Sequence, residues 1–451
     1  MLSDVGNDSF RLKCRSGIIS TQLTLGVYGM KVHGFLVLFL SLVALYPLSF
    51  AQAGENADSS VSLASFVDRA LQANPGLQAV RSRARGTEAR VPQAGAWDDP
   101  QAGVEFFATP ITSANPFKDG METDYFIQQM IPLFGKKGLM TDAASAGARM
   151  AEQSVFAAER NLRADVKKAY AMIFAAQRRI DVNTENQRLL TQIIESARAK
   201  YSVGLVTQGD VLKVQVELAR LQNDRAELDQ ELVNATAMMN ALLGRSAQTP
   251  IGHVTDVKLA KVSDSPEDLT ARALDNRPEL RGMKYELEMN NAELAASQRE
   301  RLPDLMVRGT YKQMKEGTDQ WAAMLSINIP IAPWASGKYS GKIEENSLAA
   351  RATEQSLADM RNMIQAEVRE KWAKTSAKWQ QIERFRQVIL PQSEQSLQST
   401  LAAYETNRAD FLSLLDSYRM LQMLKMDYYM LVSEYFANVA QLERSIGSDL
   451  Y

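Results

Sequence analysis

Tyr201-Ser202-Val203-Gly204-Leu205-Val206-Thr207-Gln208-Gly209-Asp210-Val211-Leu212 lies between two very long apolar-periodic segments. It is echoed 203 positions later by Tyr404-Glu405-Thr406-Asn407-Arg408-Ala409-Asp410, which runs on to Leu414 and Leu415. The two glycines supply the backbone freedom that a reversal between helices requires. Asn407 stands at the Gly204 position, and asparagine tolerates the left-handed conformation better than other residues that carry a side chain. The pattern predicts two helical hairpins, each with its tip at one of these stretches.

The same offset holds far from the tips. Pro75 answers to Pro278, Leu77 to Leu280, Pro100 to Pro303 and Gly244 to Gly447, and Arg69-Ala70-Leu71 recurs as Arg272-Ala273-Leu274. Self-similarity at a fixed spacing indicates an internal duplication. Between Pro100 and Tyr170 the match slips, with Pro132 pairing with Pro330, so the loops are expected to differ there.

For 451 residues two or three domains would be usual, but duplicated helices of this length argue for one elongated body. A formal charge of -2 leaves no basic footprint for nucleic acid. From Met30 to Gly54 a positive start at Lys31 is followed by an apolar run over Phe35 to Leu48 and then by Ser49-Phe50-Ala51-Gln52-Ala53. These are the marks of a secretory signal peptide, with cleavage after Ala51 or Ala53. The run is short for a spanning helix of roughly 20 residues. Residues 1–29 fit no pattern, which leaves Met30 beside Met1 as a candidate start. The only cysteine, Cys14, and His33 both precede the cleavage sites. The mature chain is therefore expected to have no disulfide, no thiolate nucleophile and no cysteine metal site. His253 remains alone in a polar linker and reads as a surface residue. No enzyme, cofactor or resident metal is indicated.

In chain order, Val61 to Ala94 reads as helix interrupted at Asn74-Pro75. Gln101 to Ala108 and Glu122 to Ile131 read as strands about a polar loop. A helix over 136–200 and its return over 210–243 complete the first copy. The second copy gives a helix over 267–301, strands over 304–313 and 320–330, a helix over 338–403 and a helix over 410–446. Pro391 is expected to kink or break the helix over 338–403. In the second hairpin Leu305, Val307 and Tyr311 alternate with Met306, Arg308, Thr310 and Lys312, and Trp321, Ala323, Leu325, Ile327 and Ile329 alternate with Gln320, Ala322, Met324, Ser326 and Asn328. One face is apolar over the length of a transmembrane strand, though a half-buried hairpin in a soluble sheet has the same pattern. The signal peptide favours the outer membrane. Lipid tolerates no open sheet edge, so four strands per chain require several chains to close one barrel. The expected organisation is an unassigned extension (1–29), a signal peptide (30–53), a first repeat (54–244) holding a hairpin over 101–131, a linker (245–266), a second repeat (267–447) holding a hairpin over 304–330, and a tail (448–451). A periplasmic coiled-coil scaffold is the alternative of another class, but it has no use for two membrane-grade hairpins at matching points.

The duplicated frame, the tip motif from Tyr201 to Leu212 and the ending Gln441-Leu442-Glu443-Arg444-Ser445-Ile446-Gly447 resemble the TolC-type outer-membrane factor family, over nearly everything from Ser60 to Gly447. The resemblance implies a mainly α protein with a small membrane β part, a homotrimer whose 12-stranded transmembrane β-barrel continues as an α-barrel across the periplasm. The implied function is a passive exit duct in outer-membrane lipid. The implied partners are a periplasmic adaptor protein and an energised inner-membrane pump, of the resistance-nodulation-division type. The hairpin tips would meet the adaptor, through Val203, Gly204, Leu205, Thr406, Asn407 and Arg408. Asp416 matches the family's constriction aspartate, and Tyr404, Asp210 and Arg408 match the polar groups that latch the closed periplasmic gate. Three copies of Asp416 on a threefold axis would favour cations in a narrow throat. The run Gln128 to Lys137 and the ending from Leu442 to Gly447 look most like the heavy-metal branch; multidrug efflux and type I protein secretion are the rival cargoes. Met420, Met423, Met426 and Met430 share part of a helix face, which reads first as packing and otherwise as a soft-metal relay.

Overall fold

The computed structural model describes residues 62–330 and 333–450; the expected signal peptide, Cys14 and His33 lie outside them. Helices α1 (Leu63–Ala73), α2 (Pro75–Glu88) and α3 (Arg90–Gly95) lead to strand β1 (Gln101–Phe107). A loop carrying the single turn α4 (Pro116–Asp119) connects it to β2 (Glu122–Ile131), then come the long α5 (Lys136–Ser202) and its return α6 (Gln208–Leu242). The sequence then repeats the plan with α7 (Pro266–Asn276), α8 (Pro278–Arg299), β3 (Leu305–Met314), β4 (Gln320–Ile327), α9 (Ser336–Arg384), α10 (Leu390–Glu405) and α11 (Phe411–Ile446). At 67 residues, α5 is about 100 Å long.

Prolines explain two departures from the expected elements. The single helix expected over 267–301 is two, because Pro278 drives the preceding residue out of the α region and Arg277 has φ -66° and ψ 120°. Pro75 does the same to Asn74, whose side chain caps α2 by accepting from the Leu77 N–H at 2.9 Å. Pro391, by contrast, does not end its helix. Phe385–Ile389 adopts a π-helical turn in which the Leu390 N–H donates five residues back to Phe385, and the chain stays helical from Ser336 to Glu405. A proline lacks the N–H of a normal helical bond and crowds the carbonyl four residues before it. The wider turn just upstream is the adjustment that lets the helix continue.

Equivalent junctions in the two halves are closed alike. Gly244 and Gly447 both have left-handed backbones, φ 65° and 69°. A Cβ on Gly244 would sit 2.7 Å from the Ala73 carbonyl oxygen, and one on Gly447 would sit 3.0 Å from that of Asn276. Glycine is required twice over at both sites, by conformation and by space.

Three apolar clusters run along the molecule. One joins α1, α5, α6 and α11 through Phe66, Tyr170, Met239 and Tyr435. A second lies toward the tips around Leu190, Val214, Leu221 and Leu414. The third packs α7 and α8 on α9 and the end of α11 through Leu269, Leu280, Val368 and Leu442. The connection between α6 and α7 forms a strap across this body. Tyr170 Oη donates to the Thr255 carbonyl at 2.8 Å, Gln177 Nε2 to that of Gly252 at 3.1 Å, and Tyr435 Oη to that of Ala260 at 2.5 Å. His253 lies exposed on this strap.

Candidate functional site

Two places carry groups that packing does not consume: the sheet at one end and the hairpin tips at the other. The four strands pair antiparallel in the order β1-β2-β3-β4, which leaves β1 and β4 as edges. The register sets Val104 opposite Tyr125, Tyr125 opposite Tyr311, Tyr311 opposite Trp321, and Val307 opposite Leu325. Because side chains alternate along a strand, this places Ile127, Tyr311, Trp321, Leu325 and Ile327 on one face. They are exposed, Trp321 at 81% and Leu325 at 72%. The opposite face is ionic. Arg308 Nη2 meets Glu105 Oε2 at 2.6 Å, and Lys312 Nζ meets Glu122 Oε1 at 2.5 Å and Asp124 Oδ2 at 3.2 Å. An apolar side that water would shun and a polar side that lipid would shun share one layer.

The joint between this sheet and the helices uses the run that carries the heavy-metal resemblance. Phe134 and Gly135 both have left-handed backbones and turn the chain from β2 into α5. Buried Lys136 then donates to the Leu302 carbonyl at 2.7 Å and to Asp304 Oδ1 at 2.8 Å, tying the two repeats together where strands meet helices. Charge-assisted bonds of this kind are the stronger ones.

At the first tip Gly204 has φ 75°, and the Leu205 N–H donates to the Lys200 carbonyl at 2.9 Å, satisfying a helix-end acceptor. Thr207 then opens α6 with a reciprocal cap. Its hydroxyl accepts from the Asp210 N–H at 3.2 Å, while Asp210 Oδ2 accepts from the Thr207 N–H at 3.1 Å. Val203 and Leu205 are exposed, at 67% and 57%.

At the second tip Asn407 has φ 57°, the left-handed conformation expected of it, and Asp410 caps α11 by accepting from the Ser413 N–H at 2.7 Å. Hydrogen bonds from Ser413, side chain first and backbone second, hold the Asp410 carboxyl below the usual aspartate range. Thr406, Asn407 and Arg408 are exposed, and Arg408 Nε donates to Thr406 Oγ1 at 3.2 Å.

The four gate residues read from the sequence differ in setting. Tyr404 is 2% exposed, its ring edge-on to Phe411 with centroids 6.1 Å apart, and its buried hydroxyl has no hydrogen-bond partner among the described residues. Burial, and secondarily the Asp210 carboxylate, raise its pKa. Asp210 is engaged in the α6 cap, Arg408 stays at the tip surface, and Asp416 is exposed on α11 one turn before Arg419. Arg419 itself pairs with the buried Glu217 at 2.6 Å.

Lys200 is a tip residue that sequence reasoning missed. Its ammonium donates to the Tyr404 carbonyl and, at 2.6 Å, to Asn407 Oδ1, and stands 4.2 Å from the centre of the Tyr404 ring. A cation there satisfies the carbonyl end of α10, where the helix dipole is negative. The one sequence signal was a lysine in the last turn of α5 where the second copy has Ala403.

Residues 66–245 match the family described as outer membrane efflux protein. The chain is 23% identical over 322 residues to the cobalt-zinc-cadmium resistance protein CzcC of Cupriavidus metallidurans, spanning 70% of this chain and 75% of that one. It is 18% identical over 317 residues to the outer membrane protein TolC of Vibrio cholerae, spanning 68% and 72%. Among solved structures, CusC, described in terms of folding and transmembrane channel formation, superposes with a TM-score of 0.73 at 17% identity over 86% of this chain and 92% of that one. That likeness is one of fold.

Proposed function

We propose that the chain is an outer membrane efflux protein, located in the outer membrane and not an enzyme, and that three copies of it close one channel. The observation that carries this reading is the two-faced sheet with two open edges. Edges β1 and β4 have unpaired backbone groups that lipid would penalise by several kcal/mol each, roughly. Joining β4 of one protomer to β1 of the next removes every edge and gives a 12-stranded barrel with Trp321 and Leu325 toward lipid and the Arg308 and Lys312 pairs toward water. The helices extend this duct into the periplasm.

The exposed tips are the adaptor surface in this reading. Val203 and Leu205 flank Gly204 as an apolar point, while Thr406, Asn407 and Arg408 offer a polar one. An inner-membrane pump of the resistance-nodulation-division type supplies the energy, because the duct holds no group that does work. Asp416, exposed and without an ion pair among the described residues, forms the carboxylate ring of the gate, with Tyr404, Asp210 and Arg408 setting its closed position. Replacing it, Asp416→Ala, weakens block of single-channel current by divalent cations; an unchanged block would remove Asp416 from the gate.

Heavy-metal cations are the proposed cargo. The similarity to CzcC supports this, as does the run from Gln128 to Lys137. The test is growth of a deletion strain, with and without the gene restored, across copper, silver, zinc, cobalt, cadmium and common drugs. Sensitivity to metals alone, reversed by the gene, is expected. A drug-only phenotype would transfer the duct to multidrug efflux.

A further inference from the structure

The methionines of α11 do not pack as their spacing first suggests. Met420 and Met423 are each 57% exposed and Met430 is 44% exposed, whereas Met426 is half-buried. A helix rotates 100° per residue, so Asp416, Met420, Met423, Asp427 and Met430 lie in one narrow row, spaced alternately four and three residues apart. Asp416 and Asp427 have neither a hydrogen bond nor an ion pair to any described residue. The row is thus made of exposed thioethers and of carboxylates without a hydrogen bond, Asp416 standing within electrostatic reach of the Arg419 guanidinium.

Its direction follows from the strap. On α5, Tyr170, Gln177 and Arg178 bind the strap, through Thr255, Gly252 and Asp256. The other side of α5, at Met172, Ala175 and Ala176, lines a cavity of about 290 Å³ whose opposite wall includes Met430 and Glu434. On α11, likewise, Tyr435 reaches the strap at Ala260 while Met430 and Glu434 face away from it. Both helices therefore turn one side to the strap and the other to a common open surface. Met172, 39% exposed, adds a thioether to that surface from a second helix. Within its own protomer α11 packs against α5, α9 and α10.

We infer that this surface is a stepwise, weak binding track for soft monovalent cations, Cu(I) or Ag(I), with Met420, Met423, Met430 and Met172 as thioether ligands between the carboxylates Asp416 and Asp427. The inference rests on the duct reading, in which a strap lying in the bore would obstruct flow, so that the strap is outside and the methionine row inside. Thioether sulfur is a soft, polarisable donor that selects soft metals over hard ones. Carboxylates raise the local cation concentration without selecting softness. From Met420 to Met430 the rise along the helix is about 15 Å, with the intervening groups about one turn apart. A cation passed from pair to pair is never fully released and never fully caged, which is what conduction requires. Among the described residues no group of three or more His, Cys, Asp or Glu is placed to hold a metal ion, so this surface has no tight trap beside the thioether steps.

The test is block of single-channel current by silver nitrate in chloride-free nitrate solution, comparing the native trimer with Met420→Leu/Met423→Leu/Met430→Leu. Leucine keeps the volume and apolarity and removes the sulfur. We expect the half-blocking concentration of Ag(I) to rise by about ten-fold or more, the scale on which lost supporting groups weaken metal sites, while that of Mg(II), which responds to the carboxylates, keeps its value. Equal Ag(I) block in both proteins overturns the track, and so does a matching shift for Mg(II), which would report a change of shape. A native protein that forms no conducting trimer overturns the duct reading itself and the track with it. Should the triple variant fail to assemble, Met423→Leu alone is read by the same comparison.

Discussion

The two hairpin tips carry matching sequence patterns yet are held in different ways. Both place a left-handed residue at the reversal, Gly204 at φ 75° and Asn407 at φ 57°, and both cap the next helix with a side-chain oxygen. The first tip is self-contained: Thr207 and Asp210 bond each other, and Tyr201 lies 48% exposed. The second leans on its neighbours. Tyr404, the counterpart of Tyr201, is buried against Phe411, and the end of α10 is held by Lys200 from the other hairpin. The two tips thus differ in what holds them, the first by its own cap and the second by contacts from its neighbours.

The largest expected difference follows from Tyr404. Truncating a buried aromatic typically destabilises by about 3 kcal/mol or more, so Tyr404→Ala should strongly raise hydrogen exchange of amides near both tips. Tyr201→Ala, at an exposed site, should stay within about 0.5 kcal/mol. Equal effects would mean that the tips are equivalent once the trimer assembles. Tyr404→Phe sharpens the test, because it removes a buried hydroxyl that has no partner among the described residues. No loss of stability is expected from it, and a marked loss would place a partner for that hydroxyl across a subunit boundary.

Lys200 gives the next effect. Hydrogen bonds to charged donors contribute about 1.5–3 kcal/mol when sheltered; with Lys200 half-buried and Asn407 exposed, screening reduces this to about 1 kcal/mol. Lys200→Met keeps the long apolar stem and removes the ammonium. Exchange should quicken at residues 404–408 and change little at 201–205. The reverse pattern would mean that the second tip supports the first.

What was legible in the sequence was mainly local. The reversals, the left-handed Asn407 and the paired Gly244 and Gly447 follow from backbone rules that act over a few residues. The strands were legible because alternation is itself a two-residue rule, although their order across the sheet was not, since the pairing of β2 with β3 joins segments far apart in the chain. The expected effect of Pro391 takes the form of a π-helical turn just before it, because proline forbids one hydrogen bond without forbidding a helix of wider turn. Pro278 was underused: its match to Pro75 already implied a break at Arg277. Lys200 was hidden for another reason, its contacts lying more than 200 residues away. The methionine row reads first as packing, yet Met420, Met423 and Met430 are exposed in the protomer, because periodicity shows that residues share a face without showing what lies against it.

The smallest effect separates the two caps. Asp410 has its carboxyl pKa lowered by the Ser413 hydrogen bonds. A carboxyl whose folded pKa is depressed adds stability that is fully present above its unfolded pKa, about 4, and that is lost as pH falls through the lower folded value. The second tip should therefore loosen below about pH 4, seen as excess exchange at residues 410–413 after correction for intrinsic rates. The Thr207 hydroxyl that accepts from the Asp210 N–H in the first tip does not titrate in that range, so that contact should persist. Asp410→Asn separates titration from capping, because asparagine caps about as well as aspartate and has no proton to gain. The variant should behave like the native protein at neutral pH and lose the acid response of residues 410–413. If that response survives in Asp410→Asn, the acid-sensitive group of the second tip lies elsewhere, and its cap is as indifferent to pH as the threonine hydroxyl of the first.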